Sequence, residues 1–107
     1  MYYTITKLQI EGFHNWPEAP ECFSYLRDRH RHIFEITAIN TVGNADREKE
    51  VNNQRMLIMH YLEQHYGKPC EFGSMSCESI AKDIAHIFGC TEVQVLEDGF
   101  SGAGYKT

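Results

Sequence analysis

The sequence predicts an α+β fold, an antiparallel four-stranded sheet with two helices on one face, in the order β-β-α-α-β-β. Three observations carry this. Apolar residues recur with period two near both ends of the chain. Two segments in the middle recur with helical period. Gly, Pro, Asn and Asp clusters separate them. With 107 residues the chain is one domain, spanning 1-107.

From Tyr2 to Gly12 the residues favour a strand: Leu8 and Ile10 alternate with Lys7, Gln9 and Glu11. His14 continues the face of Leu8, Ile10 and Gly12 at the strand end. Taken alone it reads as a surface or capping histidine. Asn15 to Asp28 reads as a loop, because Pro17 and Pro20 forbid a regular ladder. It carries Trp16, Cys22, Phe23 and Tyr25, enough apolar surface to pack on something or cover a site. Cys22 is either a small buried hydrophobe or, near a cation, a thiolate with nucleophilic or basic character.

The second strand is expected from about Arg31 to Thr41, entered through His30-Arg31-His32. Residues two apart on a strand share a face, so His30 and His32 project together, ahead of Phe34, Ile36 and Ala38. Two imidazoles so placed can share a metal ion, and His14 is the candidate third donor. Gly43 to Asp46 is a turn, and Arg47 to Glu50 is a charge run that fits a hairpin return or a first helical turn.

The first helix is expected from about Asn53 to Tyr66. Asn52 or Asn53 caps it, Leu57, Ile58, Tyr61, Leu62 and His65 lie at helical spacing, and Gly67 and Pro69 stop it. Lys68 to Ser74 is a loop. The second helix has Ser76 as N-cap, a continuous apolar stripe from Cys77 to Phe88, and Gly89 past its end. A third strand runs over Glu92–Glu97. Val93, Val95 and Glu97 share a face, so Glu97 either reaches water at the rim or holds a donor. Asp98-Gly99 and Ser101-Gly102 are turn signals, and Ala103 to Thr107 is a short fourth strand.

Composition narrows the function. Net charge is −5, which argues against a nucleic-acid surface. No apolar run reaches membrane-spanning length. The N-terminus lacks the features of a signal peptide, and none of the four cysteines forms a C-x-x-C pair. Reduced thiols and a cytoplasmic location are therefore expected. So small a sheet leaves a face and edges open, so a homo-oligomer is expected.

Taken together, Ile10-Glu11-Gly12-Phe13-His14, Cys22, His30-Arg31-His32, Met75-Ser76-Cys77-Glu78-Ser79-Ile80-Ala81 and Val93-Gln94-Val95-Leu96-Glu97-Asp98 resemble the 6-pyruvoyl-tetrahydropterin synthase family. Its other main branch is 6-carboxytetrahydropterin synthase, of queuosine biosynthesis. The resemblance implies the tunnelling fold, commonly assembled as hexamers of stacked trimers. It implies zinc on His14, His30 and His32, and Cys22 as catalytic acid/base. Glu97 would anchor the pterin ring, with Ser76 and Cys77 binding substrate. The activity implied is that of a lyase on dihydroneopterin triphosphate or a related pterin. The alternative is a catalytically altered relative that binds a pterin or purine. Arg31 stands where the family has glycine, Ser79 where it has asparagine, and the proline before the second helix is missing. No Asp-His pair matches the family's in the segment from His60 to Ser74, where Glu63 and His65 are the nearest acid and imidazole.

Overall fold

Alternation of side chains across β-strands organises the fold. A computed structural model describes all 107 residues. Strand β1 (Tyr2–His14) and strand β2 (His30–Val42) pair antiparallel along their whole length, with Tyr2 opposite Val42 and His14 opposite His30. On one face this ladder presents Leu8, Ile10, Phe34, Ile36 and Ala38, all buried. The other face shows Tyr3, Ile5, Lys7, Gln9 and Glu11, all exposed.

Between these strands lies the loop that the prolines predict, with a short 3₁₀ helix over Glu21–Leu26. Helix α1 (Val51–Tyr66), strand β3 (Cys70–Gly73), helix α2 (Cys77–Phe88), strand β4 (Glu92–Glu97) and strand β5 (Ser101–Lys106) follow. The sheet order is β3-β1-β2-β4-β5, and β3 runs parallel to β1.

The expected four-stranded antiparallel sheet is therefore a five-stranded mixed sheet. The difference is Cys70–Gly73, read from sequence as part of a loop. In the fold Cys70 and Phe72 are buried while Glu71 and Gly73 are exposed, so the segment alternates as a strand does. Ser101 and Gly102, expected as a turn, open β5 instead, and Glu97 pairs with Ser101. The turn is confined to Asp98, Gly99 and Phe100, with Asp98 at φ +56° and Gly99 at φ +75°.

Both helices lie on the sheet's apolar face, as expected. Ile58 and Leu62 of α1 and Ile80, Ala81 and Ile84 of α2 join the strand residues in one core. Each fully buried isoleucine, leucine or valine side chain there contributes about 1.5–3 kcal/mol. Ser76 caps α2, its Oγ accepting from Ser79 N at 3.1 Å, and Gly89 ends the helix at φ +64°. Helix α1 differs from expectation. Glu50 is its cap, accepting from Asn53 N at 2.7 Å, in place of Asn52 or Asn53. The charge run before it is an exposed bend. Its buried stripe is Gln54, Ile58 and Leu62, which leaves Leu57 and His65 outside. No helix is long and apolar enough to cross a membrane.

Candidate metal centre

His14 and His30 occupy opposite positions on the last rung of the β1–β2 ladder, and His32 is two residues further along β2. All three point to the helix-covered face, at the end of the sheet where the apolar core stops. Their ring centroids form a near-equilateral triangle, with sides of 4.6, 5.2 and 5.0 Å. Phe34 and Phe72 floor it, with Phe34 edge-on to both His14 and His32. Gly12 permits this floor, since a Cβ there would lie 2.8 Å from Phe72 Cε2.

Each imidazole is fixed from behind through Nδ1. His14 Nδ1 donates to Met75 O at 3.0 Å, the residue before the α2 cap. His30 Nδ1 donates to Asp28 O at 2.9 Å. His32 Nδ1 lies 2.7 Å from Asp98 Oδ2. Three acceptors at the three Nδ1 atoms select the tautomer that keeps the proton there and leaves a lone pair on each Nε2. The Nε2 atoms of His14 and His32 are buried and have no hydrogen-bond partner.

Glu97, the last residue of β4, completes the group. Its carboxylate follows Val93 and Val95 on the core face and pairs in register with Phe34. Oε2 lies 2.9 Å from His14 Nε2 and 3.6 Å from His32 Nε2, without hydrogen-bond geometry to either. One ligand atom from each of His14, His30, His32 and Glu97 falls within 4.8 Å of every other. A carboxylate oxygen facing imidazole lone pairs is repulsive unless a cation lies between them. The four side chains thus fit a metal ion by donor type and spacing, with hydrogen-bonded Nδ1 atoms behind them.

A cleft of ≈ 440 Å³ opens beside this group, bounded by Trp16, Leu26, Met75, Ser76, Cys77 and Glu97 among others. Ser76 and Cys77 are where the resemblance puts substrate contacts. Cys77 is buried, and desolvation followed by the Glu97 charge pushes its thiol up to about 12, so it is protonated near neutrality. Cys22 is exposed on the 3₁₀ helix and is not among the cleft's lining residues.

Arg31 does not crowd the histidines. Alternation sends it to the opposite face, where it pairs with Glu11. Arg27 and Arg29 also have partners within the chain: Arg27 donates to Ala19 O at 2.8 Å, and Arg29 grips Glu71 with both Nε and Nη2 while lying over the Phe13 ring. Glu63 pairs with Lys68, and His65 stacks on Tyr61; neither lines the cleft.

Asp98 is the functional residue that the sequence reading missed, since Asp98-Gly99 signals a turn and nothing more. Its second oxygen accepts from Ile33 N at 2.9 Å, so one carboxylate both terminates the ladder and orients His32. Comparison with known proteins adds no assignment: no family model matches this sequence, and no curated protein matches it.

Proposed function

We propose that this chain is a zinc protein similar to the 6-pyruvoyl- and 6-carboxy-tetrahydropterin synthases, acting on dihydroneopterin triphosphate or a related pterin. The observation that carries this reading is the set of three Nδ1-anchored imidazoles converging beside a cleft. His14, His30 and His32 hold the zinc. When bound, it supplies polarisation of carbonyl and hydroxyl oxygens, which eases removal of neighbouring protons.

The remaining roles fall to the chain's own side chains. Glu97 borders the cleft and can accept two parallel hydrogen bonds from the amino-pyrimidinone edge of a pterin. Ser76 and Cys77 border the same cleft at the amino end of α2, whose partial positive charge favours an electron-rich group. Cys77 is a donor there, since its thiol keeps its proton. Cys22 is the acid/base that the resemblance assigns, and this role requires the 3₁₀ helix to fold over the cleft. The exposed sheet face and the edge strands β3 and β5 support a homo-oligomer, a hexamer by the resemblance. Four free cysteines fit a reducing cytoplasm.

The position of Cys22 and the lack of an Asp-His pair favour a second reading, a pterin- or purine-binding protein without turnover. Metal analysis comes first. About one zinc per chain is expected in the wild type and none in His30→Ala/His32→Ala. Dihydroneopterin triphosphate consumption that Cys22→Ala abolishes, with zinc retained, supports the enzyme. Binding without product supports the second reading. Wild-type protein without zinc after expression in its presence refutes the metal site.

A further inference from the structure

We propose that Glu97 is the fourth ligand of this metal, so that the centre is closed by protein alone and an incoming ligand must displace a carboxylate. The inference rests on the metal-centre reading above and concerns how that centre is regulated.

The argument begins with spacing. Bonds of about 2.0–2.1 Å in tetrahedral geometry set neighbouring ligand atoms about 3.3–3.4 Å apart. Glu97 Oε2 lies 2.9 Å from His14 Nε2 and 3.6 Å from His32 Nε2, on either side of that separation. A carboxylate dedicated to holding a ring would be expected to point into the cleft and away from the imidazoles. Here it points at their lone pairs. All three Nδ1 positions face acceptors, so no neutral imidazole can offer Glu97 a hydrogen bond through Nε2.

Donor count gives the second strand of the argument. Three histidines leave one tetrahedral position for water or substrate, as in catalytic zinc sites, whereas four protein ligands make a closed site. The backbone of Glu97 is held on both sides, paired with Phe34 on β2 and with Ser101 on β5. Opening the site is therefore a rotation of one side chain, with the sheet unmoved. Two roles then exclude each other: a Glu97 that ligates the metal is not gripping a ring. Ligand entry becomes an exchange, in which the ring takes the carboxylate and the metal accepts a new donor.

Cobalt(II) in place of zinc makes the coordination visible without any assay of turnover. The wild-type cobalt protein should give a four-coordinate visible spectrum that millimolar azide leaves unchanged. Glu97→Ala and Glu97→Gln should bind cobalt more than about tenfold more weakly. Both variants should shift their spectra when azide is added, because a position has opened. A wild-type spectrum that responds to azide at the same concentrations as the variants overturns the proposal while the three-histidine centre survives. Failure of the wild type to take up cobalt overturns the metal centre and the closed site together.

Discussion

Asp98 grips two successive residues of β2 with one carboxylate: Oδ2 lies 2.7 Å from His32 Nδ1, and Oδ1 accepts from Ile33 N at 2.9 Å. The His32 contact first, and the Ile33 N–H second, hold its carboxyl below the usual carboxylate range, and Asp98 N donates to Ile33 O at 2.8 Å alongside them. Asp98→Asn keeps the backbone bond and the size of the side chain but presents only one acceptor oxygen. Metal affinity is expected to fall roughly 10- to 100-fold, measured by chelator competition. Unchanged affinity would show that the imidazole does not need this partner.

Gly12 lies beneath the histidine triangle, and its absent side chain is what lets Phe72 and Phe34 close the floor. In Gly12→Ala the new methyl meets Phe72 Cε2 at 2.8 Å and Phe34 Cδ2 at 3.1 Å. Overpacking of this kind costs about 1–3 kcal/mol. Both the thermal midpoint and the zinc content should drop, since His14 is two residues away on the same face. A variant with wild-type stability and zinc would show that the two rings can retreat.

Alkaline pH should destabilise the fold over a definable window. Tyr61 and Tyr66 of α1 both donate to Asp83 Oδ2 on α2, at 2.8 and 2.7 Å. Burial and then Asp83 raise Tyr61 from 10.0 to about 12 and raise Tyr66 further. Burial likewise raises the Cys70 thiol from 9.0 to about 11. An unfolded chain releases these protons first, so stability is fully present below about pH 9 and falls as pH rises toward 12. Urea midpoints at pH 8, 10 and 11 should decline in that order. Tyr66→Phe should flatten the decline while costing about 1 kcal/mol at neutral pH.

Much of this architecture was legible because strands repeat with period two. That rule alone puts His30 and His32 on one face, sends Arg31 to the other, and carries the Val93/Val95 face through to Glu97. The helix stop at Gly89 and the Ser76 cap were equally local. Strand β3 was not legible, because its four residues carry too short a pattern, and its parallel pairing to β1 is set by a partner about sixty positions away. The cap of α1 was misread because Asn is the better intrinsic cap, yet Glu50 is the residue whose carboxylate reaches Asn53 N. Asp98 was legible only as a turn residue, since its role depends on which strand the turn faces.

Asn40 offers a test at the opposite end of β2 from the histidines. It is 1% exposed, and neither of its side-chain polar atoms has a hydrogen-bond partner. The Cys90 thiol beside it is only a weak hydrogen-bonding group. Removing an unsatisfied buried amide recovers roughly 1–3 kcal/mol. Asn40→Leu, which keeps the same branched skeleton of four side-chain heavy atoms on the same apolar face, should raise the thermal midpoint and leave zinc content unaltered. A lowered midpoint would mean that the amide is satisfied by buried water.

His14 is the last residue before the segment 15–29 and His30 the first after it, so an ion bound between them ties off both ends of that segment. An ion that binds only the folded chain adds about 2.7 kcal/mol when present at a hundred times its dissociation constant. That gain is concentrated at one end of the ribbon, far from Asn40, and the two ends need not open together. A metal-starved chain should fray at the histidine end first and offer residues 15–29 to proteases while its core stays shut. The rate of cleavage in that segment then becomes a gauge of how much metal the surroundings supply.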